Sequence, residues 1–353
     1  MSFEGYMRQG LYRIIRWYIT IGLRTYFSKI EIEDQQKIPK DRPFILAVNH
    51  QNAFLDPILA ALLIPFDVHF LTRSDVFTKR STYWLESLKM HPIYRMRDGI
   101  DQLGKNQEVF DNCAKLFEKN SPVLVFPEGN HGKHHYLRSL TKGTARIALD
   151  AQEKIDSELM IVPCGLNYFA HRTPRTKLIV KYGEPIPVNK YLKEYQDDKQ
   201  RGLRSLTKGM AVEMKKCLII PEKTDDYDVK VKKVFNPENE VLSFVKLREL
   251  GSRDYSNDAT QFVDVPKSQF RKNMIVLAGF PNFGPLFLLK KVLEGIKDKV
   301  FYGTMKFLIL LFTLPIWWLI LFFIGWGFFG VAEGFVLIAL SIIGLFARAE
   351  LRK

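Results

Sequence analysis

The chain has 353 residues, of which 47% are hydrophobic and 25% charged, with 52 Lys and Arg against 38 Asp and Glu and a formal net charge of +14. That length admits one catalytic domain with a membrane-associated tail as readily as two soluble domains, and the positive charge calls for an anionic counterpart, whether a membrane surface, a phosphorylated substrate or nucleic acid. Neither zinc-finger spacing nor an RNA-binding aromatic motif occurs, which removes the support for nucleic acid; the three scattered cysteines, Cys113, Cys164 and Cys217, build no disulfide framework and point to a reducing compartment.

From the N-terminus, Leu11, Ile14, Ile15, Tyr18 and Ile21 recur at near-helical spacing with Arg8, Arg13, Arg16 and Arg24 among them. This predicts a basic amphipathic helix over residues 1–29 that lies in a lipid interface. A helix packed on its own core would show the same period, but the Trp17-Tyr18 pair and the shortage of acidic residues favour lipid. The arginines interrupt every apolar run, so no cleavable signal is read there and the bulk of the chain is expected to be cytoplasmic.

Residues 30–190 alternate short apolar runs with helical patterns. Lys29–Glu33, Pro43–Val48, Val68–Thr72, Val123–Phe126, Met160–Cys164 and Leu178–Tyr182 read as strands, and 74–89, 104–119 and 142–154 as helices. The alternation predicts an α/β domain whose sheet carries helices on its faces. Asp56-Pro57 reads as a helix start, with Asp as N-cap and Pro at the first helical position.

Residues 191–299 read as a polar, largely helical extension, with helices near Tyr191–Cys217 and Asn239–Leu250, and as either a subdomain or a cap. Within 300–353 the apolar stretch 307–347 carries one charge, Glu333. At about 1.5 Å per residue it is roughly twice as long as one crossing of a ~30 Å hydrocarbon core requires, which predicts a transmembrane or re-entrant hairpin turning near Gly325-Trp326-Gly327. Lys290, Lys291, Lys297, Lys299 and Lys306 precede it and Arg348, Arg352 and Lys353 follow it, so both ends are expected to face the cytoplasm.

Two segments carry chemistry. His50 follows the strand ending at Val48, and Asp56 follows His50 before a helix; a neutral imidazole held by a carboxylate takes a proton from a hydroxyl as that hydroxyl attacks. Capping alone would also explain an Asp before Pro, and the two roles can coexist. The second segment is Phe126-Pro127-Glu128-Gly129, where Gly129 permits close backbone approach and Glu128 can accept a hydroxyl hydrogen bond.

Asn49-His50 with Asp56, followed about seventy residues later by Phe126-Pro127-Glu128-Gly129 after a Val-Leu-Val strand, resembles the glycerophospholipid acyltransferase family, often called PlsC-type. The first motif has one more residue between His and Asp than the family's usual four, as in a branch that reads His-x5-Asp-Pro. The resemblance spans roughly residues 30–190. It implies a PlsC-like domain with a central mixed sheet flanked by helices, His50 as general base and Asp56 as its holder.

Asn49, Glu128 and Gly129 would adjoin the substrate, and the resemblance places an acceptor-phosphate Arg at Arg95, with Arg97 as the second choice. The family's Phe-Pro-Glu-Gly is usually followed by Thr-Arg-Ser, whereas here Asn130-His131-Gly132-Lys133-His134-His135 follows, leaving His131, Lys133 or Lys142 to supply the positive charge. A zinc reading of these histidines lacks a Cys or carboxylate at metal spacing. Leu140–Ala148 resembles the following helix, Pro163 the proline that ends a strand lining the acyl pocket, and Tyr182-Gly183-Glu184-Pro185-Ile186 the closing element.

The implied activity is transfer of a fatty acyl group from acyl-CoA or acyl-ACP to the hydroxyl of lysophosphatidate or glycerol-3-phosphate, without a metal or other cofactor. The expected partners are membrane lipids and the acyl donor, and not nucleic acid. The alternatives are acylation of a lyso-amino-acid lipid, and a non-catalytic lipid-binding protein that keeps the fold.

Overall fold

Phe44–Val48 is apolar at every position because both faces of this strand are covered. In the computed structural model, which describes residues 3–64, 66–94, 106–256 and 268–352, this strand, β2, lies inside an 8-stranded sheet. The order is β1 (Lys29–Glu33), β7 (Lys177–Tyr182), β6 (Met160–Tyr168), β2, β5 (Val123–Val125), β3 (His69–Arg73) and β4 (Met90–Ile93), with β8 (Ile186–Pro187) beside the start of β6. Strands β2 to β6 run parallel and β7 and β8 run antiparallel to β6, so the sheet is mixed, as expected. Met90–Ile93, which precedes Arg95 in the chain, is an edge strand, a position that tolerates the missing N–H of Pro92.

The alternation of β2 divides the core. Ile45 and Ala47 pack with α4 (Asn106–Glu118), α5 (Gly143–Gln152) and α7 (Lys199–Lys216), while Phe44, Leu46 and Val48 face α1 (Phe3–Tyr26), α2 (Leu55–Leu62) and the start of α12 (Phe301–Phe328). Leu203, Leu206, Met210 and Met214 of α7 complete the first layer, so the core continues past residue 190. The pattern expected over 74–89 contracts to α3 (Thr82–Ser87) after a 3-10 turn. The helix expected over 191–217 is divided into α6 (Leu192–Asp197) and α7, because the Asp198 side chain accepts from Gln200 N at 2.8 Å and Arg201 N at 3.1 Å and starts a new helix. Beyond them, α8 (Tyr227–Val234) and α9 (Phe244–Ser252) enclose a third cluster with Phe169, Ile179 and Ile219.

Helix α1 has two working edges. Leu23 and Tyr26 are buried, the Tyr26 and Phe307 rings meet at 5.5 Å, and Gly22 admits Leu311 so closely that a Cβ would lie 2.4 Å from it. Ile14 and Trp17 stay exposed, at 65% and 66%, giving the open apolar edge that an interfacial helix needs.

Among the described residues, three stretches are long and apolar enough to cross a membrane: Gln269–Gly295, α12 and α13 (Val331–Glu350). The α12–α13 turn falls at Gly330 (φ 133), beyond the expected Gly325–Gly327. Gly325 stays helical, and α13 packs against it so tightly that a Cβ would lie 2.5 Å from the Gly334 Cα. Glu333 falls in the first turn of α13.

The sequence reading placed 269–295 in the polar extension, whereas it belongs with the apolar helices. It consists of α10 (Gln269–Gly279) and α11 (Phe283–Gly295), joined by the 3-10 turn Phe280–Asn282. Arg271 Nε donates to Leu351 O at 2.9 Å and Asn282 Nδ2 to Ser341 O at 2.8 Å, so α10 runs antiparallel to α13. Gly284 lies against Trp317, midway along α12. If α11 continued in the direction of α10, Gly295 would lie about 40 Å from Phe301 at ~1.5 Å per helical residue. The link between them reaches only about 22 Å when fully extended. Helix α11 therefore turns back toward the start of α12, and both ends of the α10–α11 pair lie on the α/β-domain side.

Candidate active site

Parallel pairing brings the ends of β2 and β5 together and sets them beside the middle of β6: Ala47 is in register with Val125, and Val48 with Cys164. The segments after β2 and β5 emerge side by side at the carboxyl edge of the sheet, where open α/β sheets form clefts. Asn49 accepts from Leu166 N at 2.7 Å and donates to Leu166 O at 3.1 Å. Its amide is thereby tied to the β6 backbone, which fixes where the chain leaves the sheet toward His50.

The His50 ring stacks on Phe126, with centroids 4.1 Å apart, and its Nδ1 lies 2.8 Å from Asp56 Oδ2. A carboxylate only accepts, so Nδ1 carries the hydrogen and Nε2 keeps its lone pair. The His50 side chain is 15% exposed, while that of Asp56 is 0% exposed.

The structure corrects the capping assignment of Asp56. The N-cap of α2 is Phe54, and the Asp56 carboxylate points back into the preceding turn. Its Oδ2 accepts Gln51 N at 2.6 Å and Asn52 N at 2.7 Å as well as His50, and its Oδ1 accepts the Tyr168 hydroxyl at 2.5 Å. These donors compensate the burial of the charge. The His-to-Asp spacing accommodates a turn that wraps the carboxylate, with Ala53 in the left-handed region at φ 38. Tyr168 and His171, which were not singled out in the sequence, complete the support: His171 Nε2 lies 2.9 Å from Gln51 Oε1 and its carbonyl accepts Asn52 Nδ2 at 3.0 Å.

Across the cleft, Gly129 adopts φ 73 and its N–H donates to Phe126 O at 3.0 Å. Pro127 O accepts both the N–H and the hydroxyl of Thr141, at 2.8 and 3.0 Å. This tight turn carries Glu128, whose side chain is 1% exposed and ion-paired with Arg138. The guanidinium also contacts both the side chain and carbonyl of Asn130 and donates to His50 O at 3.4 Å. Burial pushes the Glu128 carboxyl above its usual range, with the Arg138 charge pulling the other way. Despite the ion pair, neither carboxylate oxygen receives a hydrogen bond of good geometry among the described residues, which leaves acceptor capacity in the site.

Arg138 was not among the residues considered for the positive charge, although Arg138-Ser139 repeats the Arg-Ser of the expected Thr-Arg-Ser, displaced along the chain by Asn130–Leu137 in place of the Thr. Lys142 bonds Gln200 Oε1 at 3.0 Å, away from the Glu128–Arg138 pair. His131 stands edge-on to His50, with centroids 5.6 Å apart, and its Nε2 lies 3.3 Å from Asp298 Oδ2. Pro163 lies within β6 and does not end it. It falls where the antiparallel partner changes from β8, opposite Met160 and Ile161, to β7 from Cys164 onward, and its carbonyl accepts Gly183 N at 2.8 Å. Arg95 and Arg97 lie outside the described residues.

The insertion rests on the helical region beyond residue 190. His135 N donates to the Tyr227 hydroxyl at 3.0 Å and its ring stacks on Phe235 at 4.1 Å, while His134 stacks on Tyr136. The loop histidines thus turn to separate partners.

Burial pushes the His171 imidazole down from 6.5 to about 4 and lowers that of His135 as well; His69 also falls to about 4, through burial and then the charge of His91. In the unfolded chain these groups take up protons near pH 6.5, whereas in the fold His69 and His171 do so only near 4. Their contribution to stability is therefore complete above about 6.5 and declines as pH falls toward about 4. Thermal melts across that window should fall with acidity, and His171→Gln should flatten the decline; an identical profile in that variant would remove His171 from the account.

A family model described as Acyltransferase matches residues 29–167. Glycerol-3-phosphate O-acyltransferase 2 of Saccharomyces cerevisiae is 30% identical over 167 residues, which are 47% of this chain and 21% of the yeast protein. A 1-acyl-sn-glycerol-3-phosphate acyltransferase of Chlamydomonas reinhardtii is 23% identical over 151 residues, 43% of this chain and 44% of that one. The crystal structure of the 1-acyl-sn-glycerophosphate (LPA) acyltransferase PlsC from Thermotoga maritima aligns with a TM-score of 0.40 at 18% identity, over 58% of this chain and 83% of that one. The match thus spans about a fifth of the yeast relative's length and under half of the algal one's. Residues 29–167 are thus similar to the acyltransferase family.

Proposed function

We propose that this chain is a membrane-associated O-acyltransferase that moves a fatty acyl group from acyl-CoA or acyl-ACP to a hydroxyl of lysophosphatidate or glycerol-3-phosphate. The observation that carries this reading is the buried Asp56–His50 pair beside Glu128 and Arg138 at the ends of adjacent parallel strands. His50 Nε2 takes the acceptor hydroxyl proton as the oxygen attacks the thioester carbonyl. The tetrahedral intermediate then expels the thiolate, which receives the proton from His50, so no covalent acyl-enzyme is required. Glu128 accepts a hydrogen bond from an acceptor hydroxyl, Arg138 holds Glu128 and the following loop, and the phosphate is assigned to Arg95, with Arg97 as the second choice. The lysines before α12 and the basic residues after α13 favour placing the catalytic domain on the cytoplasmic leaflet.

The test is a panel of glycerol-3-phosphate, lysophosphatidate and a lyso-amino-acid lipid, each offered with acyl-CoA and acyl-ACP to the purified full chain in lipid nanodiscs. Phosphate-bearing acceptors should be acylated, whereas turnover confined to the lyso-amino-acid lipid, or absent throughout, would overturn this reading. Glu128→Gln should lower kcat/KM by about 10 to 100-fold, a loss of the size expected when a positioned polar contact is removed. It should not lower the melting temperature at neutral pH. Because burial raises the Glu128 pKa, the group's stabilising contribution is present below the unfolded value near 4.5 and lost as pH rises through the higher folded value. The neutral amide should therefore gain on wild type as pH rises above the unfolded value near 4.5, and a variant that melts lower than wild type at pH 7 would contradict this.

A further inference from the structure

We propose that Thr304, in the first turn of the apolar helix α12, is a positioning residue for the His50–Asp56 turn, so that docking of a membrane helix sets the geometry of the catalytic pair. The role rests on the acyltransferase reading above. Thr304 is fully buried. Its hydroxyl accepts from Leu55 N at 3.2 Å and donates to Asn52 O at 3.2 Å, the same two residues whose backbones bond each other at 2.9 Å.

One side-chain hydroxyl therefore joins both ends of the Asn52–Leu55 segment. That segment is joined directly to the catalytic carboxylate, because Asn52 N donates to Asp56 Oδ2 and Leu55 precedes Asp56 in the chain. Gly303 makes the approach possible: a Cβ there would lie 2.3 Å from His171 O and 2.7 Å from Asn52 Oδ1. Phe301 packs beside Phe54 at 5.8 Å and His131 at 5.1 Å, and Lys306 Nζ donates to Arg172 O at 2.7 Å, so the start of α12 is anchored on several sides.

Without the hydroxyl, Asn52 O and Leu55 N still have each other, so the turn persists but loses the tie that holds it against α12. A small displacement of a catalytic group is enough to lower kcat by about 10 to 100-fold, while donor binding elsewhere in the cleft is retained.

Thr→Val exchanges the hydroxyl for a methyl of similar size and Ser→Ala removes it, so T304V, T304S and T304A together separate the hydroxyl from packing. Each full-length variant would be placed in lipid nanodiscs, with kcat and the KM for acyl-CoA measured beside hydrogen exchange of peptides covering residues 50–56. We expect T304V against wild type, and T304A against T304S, to show faster exchange confined to that segment, a lower kcat and a KM within about twofold. If T304V is not recovered, the Ser/Ala pair makes the same comparison. Unchanged exchange in both pairs, faster exchange without a fall in kcat, or a T304S defect equal to that of T304A would overturn the proposal. Should the wild type acylate nothing, the functional reading fails by itself, and local exchange still decides whether Thr304 holds the turn.

Discussion

His50→Ala is expected to lower acyl transfer about 10³-fold, within the range assigned to a positioned general base. In the proposed mechanism the imidazole takes the hydroxyl proton: Asp56 occupies Nδ1, Phe126 stacks on the ring, and Nε2 carries the lone pair. The loss should not be a folding defect, because Asp56 keeps the Gln51 and Asn52 N–H groups and the Tyr168 hydroxyl when His50 is gone. One hydrogen bond among these is worth about 1 kcal/mol, which leaves expression and membrane association intact. Turnover of radiolabelled acyl-CoA in membranes normalised to enzyme content measures the effect, and wild-type turnover in the variant would sink the mechanism.

Asp56→Asn is expected to cost about 10² to 10⁴-fold in kcat, the scale seen when the carboxylate behind a catalytic histidine loses its charge. Asparagine caps helices as well as aspartate does, so a residue present only to start α2 would tolerate the change. The structure assigns Asp56 another task. With its amide oxygen toward Gln51, Asn52 and His50, and its NH2 toward the Tyr168 hydroxyl, the asparagine satisfies the turn but no longer stabilises an imidazolium. Asp56→Ala would instead strand several buried donors, each costing about 1–3 kcal/mol, and should be hard to recover folded. A kcat of Asp56→Asn within twofold of wild type, measured at saturating donor and acceptor, would return the residue to a structural role.

The sheet was legible because its strands are short apolar runs separated by helical patterns, and the catalytic edge because His50 and Glu128 immediately follow two of those runs. Helix boundaries were less legible where a polar side chain decided them: Asp198 starts a helix inside a continuous pattern, and Asp56 occupies a sequence context suited to capping but bonds the preceding turn. Arg138 was masked by an insertion that separates it along the chain from the Glu128 it pairs with.

The sequence by itself determined what is local: the period of each element, the order of the motifs, the imidazole and carboxylates available at the sheet edge, and an apolar tail long enough for a hairpin. Only the tertiary structure decided what depends on the meeting of distant segments. Tyr168, His171 and Thr304 reach Asp56 or its turn from the end of β6 and the start of α12, contacts that leave no periodic mark in the chain. The apolar 269–295 stretch reads as a crossing by length, but the short link to α12 and the packing of α10 on α13 fold it back on itself. Composition sets which segments leave water, whereas chain reach and side-chain fit set where they go.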